Sequence, residues 1–318
     1  MHLRYKFLGF IWPLAVLTVA VAAACSTGGP TLIPKVPATP YSNIRVTPIG
    51  SLPSPAADIV FTAVDRFNIG LGLKENGQIA EAIAEFGRAL LLDNDYAEAY
   101  NQRGTSYSLL GQYEEALNDY DAAIRLDPES AEAYNNRGAA YFNIDQFVPA
   151  IQDYTEAIKL DPDYASPYNN RGAAHYLLGQ LAPAISDFNE ALDLAPDYAE
   201  AYTNRGAAYF HHGDLQLAVS DFDEVIRLDP QNAEAYFNRG VAYQNLGDPA
   251  RSLEDLSQAI SLDPNFIDAY GERAVTNALL GNRAEAQQDL DRSVQLGTDR
   301  AALEEILRDI QEKQQSEP

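Results

Sequence analysis

Aromatic, small and charged positions recur along this chain with a period of 34 residues. Tyr100, Tyr134, Tyr168, Tyr202, Tyr236 and Tyr270 each stand 34 residues apart, in phase with Arg103, Arg137, Arg171, Arg205, Arg239 and Arg273. Gly104, Gly138, Gly172, Gly206 and Gly240 follow the arginines, and Ala116, Ala150, Ala184, Ala218 and Ala286 lie further on, with Ser252 taking one of those places. Six copies in phase mark a stack of like supersecondary units. Within one period, Tyr100, Gly104 and Tyr107 are spaced by four and three, so they share a helical face and predict a helix over residues 97–110. Gly111 ends it, as Gly77, Gly179, Gly213, Gly247 and Gly281 do elsewhere, because a left-handed cap residue carries no Cβ penalty when it is glycine. A second helix runs through Ala116, Leu117, Tyr120, Ala123 and Ile124 and stops at Leu126-Asp127-Pro128, a stop repeated by Pro162, Pro196, Pro230 and Pro264. Pro149, Pro183 and Pro249 fall in the first turn of second helices and Pro167 in that of a first helix, where a missing N–H costs little.

Repeats therefore start at residues 63, 97, 131, 165, 199, 233 and 267, and positions are counted from each start. An aromatic at position 4, Gly at 8, Tyr at 11, Ala at 20, Tyr or Phe at 24, Ala at 27 and Pro at 32 resemble the tetratricopeptide repeat. The resemblance covers residues 63 to about 298 and implies an all-α fold, a right-handed superhelical solenoid of stacked helix-turn-helix units whose first helices line a concave groove. Seven repeats fill residues 58–300. Repeat 1 is degenerate, with Arg66 at the aromatic position and Asn94 in place of the terminal proline, as a terminal repeat is expected to be. Over residues 301–318, Leu303, Ile306, Leu307 and Ile310 make one apolar stripe beside Glu304, Glu305, Arg308 and Asp309, which reads as a capping helix with a frayed tail.

The charge balance narrows the partners. Lys and Arg total 22 against 46 Asp and Glu, a net −24. Residues 1–57 hold four of the bases and no acid, so the rest carries −28. Phosphate-mediated binding of nucleic acid is excluded, and adhesion of the folded part to anionic lipid is disfavoured. Membrane contact falls to the leader: a basic start, an apolar run from Phe7 to Ala24 and small residues at its end give the order of a signal peptide over residues 1–24. Val21-Ala22-Ala23-Ala24-Cys25-Ser26 resembles the bacterial lipoprotein signal, with Ala22 where Leu is usual; that resemblance implies that Cys25 becomes the lipid-bearing first residue of an extracytoplasmic protein on the cell membrane or outer membrane. An uncleaved N-terminal helix is the alternative, with Pro13 and the small-residue end against it. Residues 25–57 carry seven prolines among Gly, Ser and Thr with no apolar period, a tether able to extend up to roughly 100 Å.

Cys25 is the sole cysteine, so disulfides within the chain and cysteine zinc sites are excluded. His175 replaces a core Tyr, and the neighbours His211 and His212 point to different helix faces, which disfavours a shared metal. Acid pairs such as Asp119 with Asp121, or Asp93 with Asp95, lack the glycine and distal glutamate of a calcium loop. No constellation suits catalysis, and no cofactor is expected. Two classes of function remain: a scaffold holding a protein or extended peptide in the groove, and an envelope-assembly or enzyme-regulating lipoprotein whose folded partner docks on the convex face or the ends.

Three sets of residues carry the finer expectations. Position 7 is Arg in six repeats and position 23 answers with Asp119, Asp153, Asp187, Asp221, Asp255 and Asp289, each eight residues from the turn, so Arg and Asp stand level as structural ion pairs. Repeat 1 lacks this Arg (Ile69), and Glu85 stands at position 23. Position 2 is acidic at Glu132, Glu200 and Glu234, where family members that clamp acidic C-terminal tails are expected to have Lys or Arg, so neutral or basic ligands are favoured. Position 6 repeats as Asn136, Asn170, Asn204 and Asn238, a ladder of donors and acceptors for an extended backbone, with a structural role as its alternative. Beside it, small Ala139, Ala173 and Ala207 are expected to open the groove, and Phe142, Tyr176 and Phe210 to form an exposed stripe, or else to pack on the next repeat.

Overall fold

The computed structural model describes residues 61–316. The leader, Cys25 and the proline-rich tether lie outside the described residues. Among those described there are fifteen α-helices and no strand. First helices are α1 (Ala63–Glu75), α3 (Ala97–Leu109), α5 (Ala131–Asn143), α7 (Ala165–Leu177), α9 (Ala199–His212), α11 (Ala233–Asn245) and α13 (Ile267–Leu279). Their second-helix partners are α2 (Ile79–Leu92), α4 (Tyr113–Leu126), α6 (Phe147–Leu160), α8 (Leu181–Leu194), α10 (Leu215–Leu228), α12 (Pro249–Leu262) and α14 (Arg283–Leu296), and α15 (Arg300–Ser316) follows them. They fall into two compact segments, residues 61–167 and 168–316.

Close approach sets the helix pairing in both. In segment 61–167, a Cβ on Gly70, Gly104 or Gly138 would stand 2.6–2.8 Å from the ring of Phe86, Tyr120 or Tyr154, all wholly buried. In segment 168–316, Gly172 and Gly206 meet Phe188 and Phe222 in the same way. The pattern changes with the partner's bulk: repeat 7 has buried Ala274 at position 8 and Leu290, not an aromatic, at position 24. Each buried ring contributes roughly 1.5–3 kcal/mol.

Turns between paired helices use the expected left-handed glycines, with φ of 72–96° at Gly77, Gly111, Gly179, Gly213, Gly247 and Gly281. Repeat 3 departs from this, since Asp145 takes φ 59° there without being glycine. Helix starts are fixed by Thr62, whose hydroxyl accepts from Asp65 N–H in a capping box, and by the side chains of Ser130, Asn232 and Asp248. In α15, Leu303 and Leu307 are buried against Ala274, Ala278, Ala286 and Leu290, with Ile306 and Ile310 at the edge. Glu305 and Asp309 stay exposed on its outer side, and Arg308 is exposed on the side toward α14.

Candidate functional site

Level placement across each helix pair brings the position-7 arginines onto the position-23 aspartates. Arg103 Nε and Nη2 each donate to Asp119 at 2.7 Å. The same two-pronged contact joins Arg137 to Asp153, Arg171 to Asp187, Arg205 to Asp221, Arg239 to Asp255 and Arg273 to Asp289, with Nη2–O distances of 2.6–2.7 Å. The guanidinium also reaches back to position 25 of the preceding repeat: Arg137 to Asp121 at 2.7 Å, Arg205 to Asn189 at 2.7 Å, Arg239 to Asp223 at 2.5 Å and Arg273 to Ser257 at 3.3 Å. One arginine thus ties its own pair and the preceding second helix. Each also lies 5.5–5.8 Å from the ring of the Tyr three residues earlier. Burial pushes the Asp153 and Asp221 carboxyls above their ordinary value despite the guanidinium, while the hydrogen bond to Asp153 holds Arg137 fully charged. In repeat 1, Arg66 at position 4 serves Glu85 at 3.0 Å, and Arg88 joins them.

The asparagine ladder does not stand open as the sequence suggested. Asn170, Asn204 and Asn238 are 4%, 0% and 2% exposed, and only Asn136 is half-buried. Position 6 lies one helical turn before position 10, where Ala140, Ala174 and Ala208 are buried, so the side chain faces packed helices. Asn136 Nδ2 donates to Asn101 Oδ1 at 3.1 Å, and Asn204 Nδ2 to Asn169 Oδ1 at 3.0 Å. Those partners pass the bond on: Asn101 Nδ2 donates to Glu132 at 2.9 Å and Asn169 Nδ2 to Glu200 at 3.1 Å. Within each segment, then, an Asn–Asn–Glu chain sews one first helix to the next. Asn204 Oδ1 is shielded and has no partner among the described residues. Asn101, Asn135 and Asn169 at position 5 carry a 34-residue signal of their own, which sequence reasoning passed over.

The aromatic stripe is corrected as well. Phe142 is buried, with its ring centroid 5.2 Å from Phe147. Tyr176 and Phe210 are half-buried and pack on the core around Phe222 and on His211. Position 12 lies one turn after the glycine at 8, on the face that meets other helices. Burial alone pushes the Tyr176 phenol up to about 12 and holds His211 below its ordinary value. Ala139, Ala173 and Ala207 are buried too, so they serve close packing and open no groove.

What the first helices do present outward is carboxylate. Glu132 and Glu234 are exposed and Glu200 is half-buried. The Glu98 carboxyl lies above its ordinary value, first through burial and then through the neighbouring charge of Glu132. Among the described residues no group of three or more His, Cys, Asp and Glu side chains could hold a metal ion; His212 bonds Asp214 at 2.8 Å and His175 bonds Gln180 at 2.6 Å.

A family model described as a TPR repeat matches residues 70–111, 106–145, 175–213 and 208–247, and one described as a tetratricopeptide repeat matches 131–164 and 233–266. Together they span more than half of the chain. Among solved structures, YrrB, described as a TPR protein with an unusual peptide-binding site, is 27% identical, over 58% of this chain and 95% of its own, with a TM-score of 0.50. The C-terminal part of a TPR repeat-containing protein from Cytophaga hutchinsonii is 21% identical over 75% of this chain and 98% of its own, with a TM-score of 0.60. A tetratricopeptide repeat protein from Parabacteroides merdae is 17% identical over 78% and 98%, with a TM-score of 0.58. These last two likenesses are of fold alone. No curated protein matches the sequence. With helix pairs returning every 34 residues and family models matching across the repeats, this chain belongs to the tetratricopeptide repeat family.

Proposed function

We propose that the protein is a non-catalytic scaffold that receives a neutral or basic protein or peptide segment on its first helices. It does so outside the cytoplasm, held to a membrane by lipid on Cys25. The observation that carries the reading is the outward row of position-2 carboxylates, with Glu132 and Glu234 exposed and Glu132 held by Asn101 at 2.9 Å. A ligand lysine or arginine set between two such groups removes their repulsion, which gives both selectivity and attraction. Asn101 orients Glu132 from behind, and in segment 168–316 Asn169 does the same for Glu200, so the carboxylates rather than the asparagines face the ligand. YrrB's peptide-binding site supports a peptide as the kind of ligand.

The test uses the full chain in a non-ionic detergent and a labelled lysine-containing peptide, followed by fluorescence anisotropy. Replacing Glu98 and Glu132 together by Gln is expected to weaken binding by roughly tenfold, with the loss shrinking at high salt. Binding indifferent to both changes would remove the first-helix face as the site. Cys25→Ser is expected to abolish incorporation of labelled fatty acid in cells, and retained labelling would refute the anchor.

A further inference from the structure

The end of segment 168–316 carries a second surface of opposite sign. In repeats 1 to 6, positions 17 and 21 are apolar: Ile79 and Ile83, Tyr113 and Leu117, Phe147 and Ile151, Leu181 and Ile185, Leu215 and Val219, Pro249 and Leu253. The next first helix covers them, as Ala140 covers Tyr113 and Leu117, and Ala242 covers Val219. In repeat 7 the same positions are Arg283 and Gln287.

The helix that follows packs differently as well. Of the helices that precede it, an inner first helix such as α11 packs chiefly on the second helix just before it, whereas α15 lies more on α13 than on α14. Gln314 holds it there, donating from Nε2 to the carbonyls of Ala278 at 2.9 Å and Leu279 at 3.1 Å. Between α14 and α15 a groove opens, with Ala286, Leu290 and Leu307 as its floor and Arg283, Arg308 and Glu304 among its walls. Glu304 is engaged by Arg300 at 3.2 Å. Among the described residues the guanidiniums of Arg283 and Arg308 meet no hydrogen-bond or ion-pair partner. Of the other described arginines, only Arg125 shares that condition, in a chain with 46 acids to answer 22 bases. Two unanswered guanidiniums over an aliphatic floor fit a carboxylate flanked by an aliphatic side chain.

We infer that the α14–α15 groove is a docking site for an acidic-aliphatic segment of a partner protein, separate from the acidic first-helix face. The probe is a short labelled peptide, capped at both ends and alternating glutamate with leucine, titrated into the full chain in non-ionic detergent. It is expected to bind, to weaken with salt, and to lose roughly tenfold or more in affinity when Arg283→Glu and Arg308→Glu are combined. The glutamine counterpart of the peptide is expected not to bind, and Glu98→Gln with Glu132→Gln to change nothing here. If the reversed charges disturb folding, Arg283→Gln with Arg308→Gln reads the same loss. No binding of the acidic peptide, or equal binding by the arginine variants, overturns the assignment.

Discussion

Replacing Gly206 by Ala puts one methyl into a space that Phe222 already fills. The new Cβ would stand 2.8, 3.0 and 3.2 Å from three ring carbons, and the ring is wholly buried among Ala207, Ala218, Val219 and Ala242. Contact needs about 3.5 Å or more, so α9 and α10 must part or the ring must leave its rotamer, an overpacking cost of about 1–3 kcal/mol. Helix propensity works the other way by about 0.5–1 kcal/mol in favour of Ala. The expected net is a loss of about 0.5–2 kcal/mol. Gly72→Ala is the internal control: it too lies within a helix, yet nothing stands within 4 Å of its Cβ, so propensity alone acts and a gain of about 0.5–1 kcal/mol is expected. Repeat 6 suggests the rescue, since Gly240 faces Leu256 at a looser 3.1 Å; Phe222→Leu is expected to restore much of what Gly206→Ala loses. Native-state hydrogen exchange of the α9 and α10 amides reads the effect where it arises, because repeats open locally. A Gly206→Ala protein as well protected as the parent, or a double variant with no recovery, would refute the reasoning.

Asp145→Gly is expected to raise stability by about 0.5–1 kcal/mol in thermal unfolding, because φ 59° strains a Cβ-bearing residue where its counterparts are glycine. Asp221→Ala leaves Arg205 facing Asn189 alone and is expected to cost about 2–3 kcal/mol in urea unfolding, whereas Arg205→Met with Asp221→Leu is expected to stay within about 1 kcal/mol of the parent. Burial pushes the Glu272 carboxyl up to about 7 from 4.5, opposed by the Gln244 hydrogen bond and assisted by Asp268. Its contribution to stability is therefore complete below pH 4.5 and lost as pH rises through about 7. Glu272→Gln is expected to stabilise the protein at pH 8 by on the order of 2–3 kcal/mol and to change little at pH 4.5, as checked by melting curves at both values.

The 34-residue period by itself determined the helix pairs, their turns and the level pairing of Arg103 with Asp119 and its equivalents. All of these depend on spacing along one short stretch of chain: helical pitch, a glycine at the turn, and equal distances on either side of it. Which face of a first helix meets solvent is a different matter, because it depends on where the neighbouring repeat lies. Asn204 and Phe142 read as binding groups when only their own helix was considered, and tertiary packing buried both. The same packing gave Asn101 and Asn169 a purpose that their side-chain chemistry alone did not single out, as links from one repeat's asparagine to the next repeat's glutamate. Likewise the repeat pattern does not single out Arg283, and only the lean of α15 sets it across a groove from Arg308. Periodicity is a property of a single chain segment and survives in the sequence, whereas exposure belongs to the contact between segments and is decided only when they pack.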